Sequence, residues 1–380
     1  MPGIYIHIPF CKKACHYCNF HFSTSLQYKD AFIKALLKEI ELRKNYLNTD
    51  EGTTPEITSI YFGGGTPSLL SYAEIQLIFE TLQQHFLIAA TAEITMECNP
   101  DDLTPTKIEE LKRTLINRLS IGVQSFFDDD LQLMNRAHNT GQAHQSIALA
   151  AAAGFENITI DLMYALPTLT DDKWIKNLET AFALPINHIS CYNLTVEEQT
   201  ALAHLITAGK VPAIDENRAI NQFEILQNMA AQHGFKHYEI SNFAKAGKYS
   251  LHNSSYWKGN SYVGFGPSAH SFNGTSRQWN IANNQLYNTA LLKGETIFEK
   301  ENLSVDTQYN EYVMTGLRTM WGADLNYINT KFGAVYSAHF TTNVLQFLNT
   351  SEVIKTENIF TLSAKGKLIA DAVAAQLFIV

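Results

Sequence analysis

Three of the five cysteines in this 380-residue chain fall within eight residues, as Cys11-x3-Cys15-x2-Cys18. Three thiolates on one short loop make a soft donor set, suited to zinc or to an iron–sulfur cluster. A structural zinc site closes with four ligands and would recruit His16 or His21 as the fourth. Three cysteines without a fourth suit a [4Fe–4S] cluster whose remaining iron stays open to a substrate or cofactor. On that reading Cys11, Cys15 and Cys18 are the cluster ligands. Cys98 and Cys191 stand alone and read as small buried hydrophobes. A second motif, Gly63-Gly64-Gly65-Thr66-Pro67, lets backbone amides and carbonyls approach a ligand closely because no side chain intervenes. A phosphate loop would continue with Gly-Lys-Ser/Thr, and this turn does not.

Such residues need a frame. Strand-like apolar runs at 4–9, 57–62, 94–97, 118–124, 158–164 and 188–194 alternate with helical patterns at 28–46, 72–86, 104–114, 128–136, 142–154 and 171–183. Repeated βα alternation predicts parallel strands joined by right-handed crossovers. The expected fold class is α/β, a partial (β/α) barrel, with a flat doubly wound sheet as the competing arrangement. A barrel gathers its chemistry at the C-terminal ends of its strands. The cysteine triplet follows the first strand, the glycine motif the second, Glu97 lies in the third and Gln124 ends the fourth. Beyond these units come a long helix at 215–233, a strand at 238–243 and a Gly/Asn/Ser-rich stretch at 245–274. The tail reads as helices at 307–320, 325–331 and 334–348, a β-like segment at 353–362 and a final helix from 364. Two domains are expected, 1–300 for the barrel with its extension and 301–380 for a helical, winged-helix-like C-terminal module.

Composition limits the function classes. The net charge of −9 and the absence of a basic cluster in the tail, where Lys355, Lys365 and Lys367 are scattered, argue against nucleic-acid binding. With 46% hydrophobic and 17% charged residues the chain buries a sizeable core. No run reaches the ~18 apolar residues of a membrane span, although peripheral membrane contact stays open. Met1 leads directly into the first strand with no signal peptide before it, so a cytoplasmic location is expected.

The triplet opening a βα barrel, together with the glycine motif, resembles the radical S-adenosylmethionine (SAM) superfamily. The resemblance implies a [4Fe–4S] cluster whose open iron binds SAM, and an electron donor that reduces it. Within the superfamily, Tyr5-Ile6-His7-Ile8-Pro9-Phe10-Cys11, Glu97 in MECNP, Ile121-Gly122-Val123-Gln124-Ser125-Phe126, Asn135-Arg136-Ala137-His138 and Ile160-Asp161-Leu162-Met163 are similar to the oxygen-independent coproporphyrinogen III oxidase family of porphyrin biosynthesis. Carried over by position, Tyr5, Gly64, Gly65, Thr66, Glu97, Gln124, Arg136 and Asp161 line the SAM site, with Tyr17 beside the cluster. Their chemistry suits a zwitterionic ligand that carries ribose. Glu97 and Asp161 accept from an ammonium or ribose hydroxyls, Gln124 donates or accepts, and the Arg136 fork holds a carboxylate. Ala165 stands where the family usually has Gly.

Two features separate the branches of that family. The oxidases carry a further cysteine two positions after the triplet, where this chain has Phe20, and an N-terminal extension, whereas Tyr5 lies four residues from the start here. Both oppose oxidative decarboxylation. His252-Asn253-Ser254-Ser255-Tyr256-Trp257 matches the HNxxYW motif of the HemW-type heme chaperone branch. Imidazole is a common axial ligand of heme iron, and Tyr256 and Trp257 offer flat apolar faces. His252 is therefore the favoured heme contact and His270 a second candidate. The resemblance implies a protein that binds heme, the cluster and SAM and passes heme to acceptor proteins. The alternatives are the oxidase, converting coproporphyrinogen III to protoporphyrinogen IX, and a plain zinc or electron-transfer protein.

Overall fold

The computed structural model describes residues 2–48 and 52–379, so Met1 lies outside it. Six parallel strands form its centre: β1 (Gly3–Ile8), β2 (Ile57–Gly64), β3 (Ile88–Cys98), β4 (Arg118–Gln124), β5 (Asn157–Tyr164) and β6 (His188–Asn193). Six more follow in the chain: β7 (Lys236–Glu239), β8 (Asn242–Ala244), β9 (Tyr262–Phe265), β10 (His270–Phe272), β11 (Ser276–Asn280) and β12 (Phe298–Asn302). All twelve join one sheet in the order β12-β11-β10-β9-β1-β2-β3-β4-β5-β6-β8-β7. The sheet is an open α/β barrel with a flank added at each end, rather than a flat doubly wound sheet.

Period-two alternation sorts its residues. On β1, Ile4, Ile6 and Ile8 are buried in the main core, which also holds Phe32, Leu36 and Ile40 of the helix Lys29–Leu42. Tyr5 and His7 face the other way, and Tyr5 stacks on its register partner Tyr61. The inner face is polar and layered. Ser59 pairs in register with Glu93, Glu97 with Ser120, Thr159 with His188 and Asp161 with Ser190. Arg118 ties the lower layer together, with Nε 3.8 Å from Glu93 and Nη2 donating to Thr159. A barrel whose inner face carries so many polar side chains has interior space for a polar ligand.

Several elements differ from the sequence expectation. β3 begins at Ile88, six residues early, because Ala89, Ala90, Thr91 and Ala92 carry no apolar run to announce a strand. The strand expected at 238–243 is a hairpin, β7 and β8, laid antiparallel on β6. The stretch 245–274 holds the helix Leu251–Trp257 as well as β9 and β10. Strands of three and four residues are too short to show a period.

After β12 the chain forms helices Val305–Leu317, Leu325–Phe332 and Ala334–Asn349, then a hairpin of Val353–Thr356 and Ile359–Leu362. Ala323–Asp324 adds a third strand to that hairpin. These elements close around a core of their own that includes Tyr309, Val313, Phe340 and Phe360. Among the described residues no helix is long and apolar enough to cross a membrane.

Candidate functional site

The loop 11–18 leaves β1 and is pinned from two sides by backbone. On one side Cys11 N–H donates to Ser23 O (3.0 Å) and Ser23 N–H to Pro9 O (2.9 Å). On the other, His16 N–H donates to Met134 O (3.1 Å), Asn135 Nδ2 to Ala14 O (2.8 Å), and the His16 ring bonds Leu133 O at 2.8 Å. His21, the other zinc-type candidate, holds Asn284 Oδ1 at 2.7 Å through Nε2. Among the described residues no three of His, Cys, Asp and Glu gather around one point as a single metal ion requires. A four-iron cluster instead takes each thiolate on a different iron. Burial pushes the Cys11 thiol up to about 11 and raises Cys18 as well. Arg136 is the nearby cation, its Nη1 donating to Cys15 Sγ and to Tyr17 OH, both at 3.3 Å.

The glycine turn fits against this loop. Gly65 N–H donates to Ile8 O (2.9 Å) and Thr66 N–H to Phe10 O (2.7 Å). A Cβ on Gly65 would stand 2.6 Å from Phe10 O and 2.7 Å from Ile8 O, so any side chain there would lever the cysteine loop off the barrel. The close approach permitted here is first that of the protein's own backbone. The Gly65 and Thr66 amides are engaged by that backbone, while both residues line the cavity beside the loop.

A cavity of about 560 Å³ opens over the C-terminal ends of β2–β6, beside the loop. Tyr17, Cys18, Gly65, Thr66, Glu97, Gln124, Arg136 and Asp161 all line it. Cys11, Cys15, Tyr5, Gly64 and His252 do not appear in its wall. Gly64 instead packs on the His7 ring at φ 101°, and Tyr5 lies behind, stacked on Tyr61. Sequence reasoning missed Asn99, Ser120, Gly122 and Tyr192 on the strand side of the wall, which Met163, Asn193, Thr195 and Glu197 continue. Only parity with Glu97 and Asp161 along the strands could have signalled the first four.

The electrostatics of this cavity await a cation. Burial, and secondarily the charge of Asp161, push Glu97 up to about 8, although Tyr61 OH donates to its Oε1 at 2.8 Å. Burial likewise lifts Asp161 to about 6. Among the described residues neither carboxylate has an ion-pair partner. The Arg136 fork is already engaged: Nη2 donates to Asn99 Oδ1 (2.9 Å) and Gly122 O (2.8 Å), and buried Nε alone lacks a partner. The carboxylate expected on that fork is therefore left the Nε edge alone. Gln124 sits at φ 67° and Ala165 at φ 62°, the left-handed region that costs a non-glycine residue about 1–2 kcal/mol. Ala165 therefore carries a backbone cost that the family's usual Gly avoids, and Gln222 Oε1 holds its N–H at 2.7 Å.

His252 lies elsewhere. The helix Leu251–Trp257 plugs the N-terminal end of the barrel, with its first amides on the Glu93 carboxylate. The His252 ring is 1% exposed, shares one hydrogen bond with Ser59 Oγ (2.9 Å) and another with Tyr256 OH (2.8 Å), and stacks on Tyr61. Burial drops it to about 3, so it is neutral, with one nitrogen donating and the other accepting. The heme-iron contact expected of His252 has no free nitrogen to use; the geometry makes it a structural post. His252→Ala is expected to cost about 3 kcal/mol of stability, from two lost hydrogen bonds and a ring-sized void, read by denaturant unfolding. A loss below about 0.5 kcal/mol, the range of an ordinary surface substitution, would show the plug to be dispensable.

Residues 5–181 match the family model of the Radical SAM superfamily. A protein of Bacillus subtilis (strain 168) named heme chaperone HemW is 33% identical over 98% of both chains. One of the same name from Mycobacterium tuberculosis is 31% identical over 99% of this chain and 94% of its own. Among solved structures, coproporphyrinogen III oxidase (HemN) from Escherichia coli superposes with a TM-score of 0.85, at 22% identity, over 99% of this chain and 90% of that one, a likeness of fold. The cysteine loop and its cation-seeking cavity fit the [4Fe–4S] cluster and SAM that such membership implies, and the chain belongs to the radical SAM superfamily and, within it, to the HemW family.

Proposed function

We propose that this protein is a heme chaperone, which binds heme alongside a [4Fe–4S] cluster and SAM and delivers heme to acceptor proteins. The observation that carries the reading is full-length likeness to proteins named heme chaperones. Phe20 supports it: the position of the oxidases' extra cysteine holds a phenyl ring, 74% exposed. When bound, the cluster and SAM supply one-electron chemistry at the barrel mouth. Cys11, Cys15 and Cys18 are the residues that would hold the cluster, on a loop already shaped by backbone bonds. Glu97 and Asp161 offer acceptors to the ammonium and hydroxyl groups of SAM, and Arg136 Nε offers one donor. Gln124, Thr66 and Gly65 shape the wall, while Tyr17 backs the cluster loop through Arg136. An electron donor and a heme acceptor are the partners, and reduced thiols suit the cytoplasm.

The test is an anaerobic titration of the reconstituted protein with hemin, followed by its Soret band, beside a turnover assay with coproporphyrinogen III. Saturable binding near one hemin per chain with no protoporphyrinogen formed is the expected result. Turnover to protoporphyrinogen with release of 5′-deoxyadenosine would replace the chaperone by the oxidase.

A further inference from the structure

The sheet continues past β1 through β9, β10 and β11, so its inner face extends beyond the barrel. Register puts Tyr262, His270, Phe272, Arg277 and Trp279 on that face in continuation of Tyr5 and His7. Helices Val305–Leu317 and Leu325–Phe332 stand opposite, and the half-open cavity between them measures about 690 Å³. That is within the range of small-molecule and cofactor sites. It is a different space from the SAM-type cavity, but the two share Asn19 and Phe20 as a common wall.

Its chemistry is selective. Flat aromatic faces come from both sides, Tyr256, Tyr262 and Phe272 from the barrel and Tyr312, Tyr327 and Phe332 from the C-terminal helices. The one acidic residue in the lining, Glu311, is paired with Arg277 at 2.7 Å. Lys258 and Lys331 also line the cavity and have no ion-pair partner among the described residues; each lies over an aromatic ring instead, Trp321 and Tyr327 respectively. Two uncompensated cations in a chain of net charge −9 mark a place for an anionic ligand. Three histidines reach the cavity. His7 is bonded through both nitrogens, to Tyr5 OH and His21 O, and His21 is bonded through Nε2. His270, exposed and stacked on Trp279, has no hydrogen bond to its ring among the described residues.

Resting on the chaperone reading above, we propose that this cavity is the heme site: the macrocycle lies between the two aromatic walls, His270 supplies the axial nitrogen, and Lys258 and Lys331 hold the propionates. A flat, apolar, dianionic macrocycle with a metal at its centre calls for those three features together. The shared wall at Phe20 would set bound heme beside the loop that carries Cys18.

The full-length protein is titrated with hemin, with metal-free protoporphyrin IX and with protoporphyrin dimethyl ester. His270→Ala is expected to weaken hemin at least tenfold and shift its Soret band, with protoporphyrin affinity unchanged within twofold. Lys258→Ala/Lys331→Ala is expected to weaken hemin and protoporphyrin about tenfold and leave the ester unaffected. All three positions are exposed, and unchanged SAM binding in each variant establishes the fold. Saturable hemin binding that neither variant alters would overturn the cavity assignment and leave the chaperone reading standing. Loss confined to a folded His252→Ala protein would place the iron at the barrel floor and overturn it too. If the wild-type protein binds no hemin saturably, the chaperone reading fails and this assignment fails with it.

Discussion

Cys15→Ala protein, reconstituted anaerobically with iron and sulfide, is expected to retain under about a tenth of the wild-type cluster iron while remaining folded. Two thiolates do not anchor a four-iron cluster that already has only three protein ligands. The fold should survive because backbone groups, not the thiols, hold the loop: Ser23, Pro9, Met134 and the Asn135 side chain bond it on both sides. The cost of the substitution falls on Arg136, whose Nη1 loses Cys15 Sγ but keeps Tyr17 OH. Cys98→Ala and Cys191→Ala are the matched controls. Both thiols are buried in the core, Cys191 apart from the cavity and Cys98 in its wall on β3, and neither belongs to the loop, so both variants should keep the full complement of iron. Iron and sulfide analysis with the visible spectrum decides the matter. A Cys15→Ala protein holding wild-type iron would refute the ligand assignment, and one that takes up zinc stoichiometrically would revive the four-ligand zinc reading.

The second large effect belongs to Glu97. SAM binding to the reconstituted protein is expected to strengthen about tenfold between pH 6 and pH 7, where the ligand's ammonium keeps its proton, and Glu97→Gln is expected to weaken it about 100-fold and flatten that profile. The sign follows from burial. Glu97 is lifted to about 8, so at pH 7 it is mostly protonated, and an ammonium-bearing ligand must first have that proton removed. The same shift acts on folding with the opposite sense. A carboxyl whose folded-state value is raised contributes stability that is fully present below about 4.5 and is lost as pH rises through about 8. Asp161, lifted to about 6, adds a smaller slope of the same sign at lower pH. The apo-protein should therefore lose stability from pH 4.5 to pH 8, and Glu97→Gln should lose less. Isothermal titration across pH, with thermal unfolding of the apo-protein, measures both. Undiminished SAM affinity in Glu97→Gln would remove Glu97 from the site.

The cluster loop was legible in the linear sequence because it follows the first strand, and part of the barrel mouth because Glu97 and Gln124 lie near the ends of strands. Local spacing delivers Cys11, Cys15 and Cys18 on one loop, and βα alternation brings Glu97 and Gln124 to one end of a barrel, whereas Arg136 and Asp161 came from the family resemblance. The tertiary structure decided what these groups have left to offer. The Arg136 fork is filled by Asn99 and the Gly122 carbonyl, which are remote in sequence and adjacent only through strand register.

The same distinction governs the HNxxYW segment. Composition marks a histidine among aromatics, yet whether its nitrogens are free depends on Ser59, almost two hundred residues away, and on a helix of seven residues that plugs the barrel floor. His270 carried the weaker sequence signal and has the unbonded ring, because β10 is a three-residue strand that places it on the open inner face. Phe20, in the linear sequence only a missing cysteine, becomes a wall between two cavities once the sheet extends through β9–β11 to meet the C-terminal helices. Sequence by itself determined which chemistry the chain carries, since ligand type and spacing along a loop are local properties. Tertiary structure alone decided which of those groups remain unpartnered and which cavity they face, because hydrogen-bond satisfaction and enclosure are set by residues that only folding brings together.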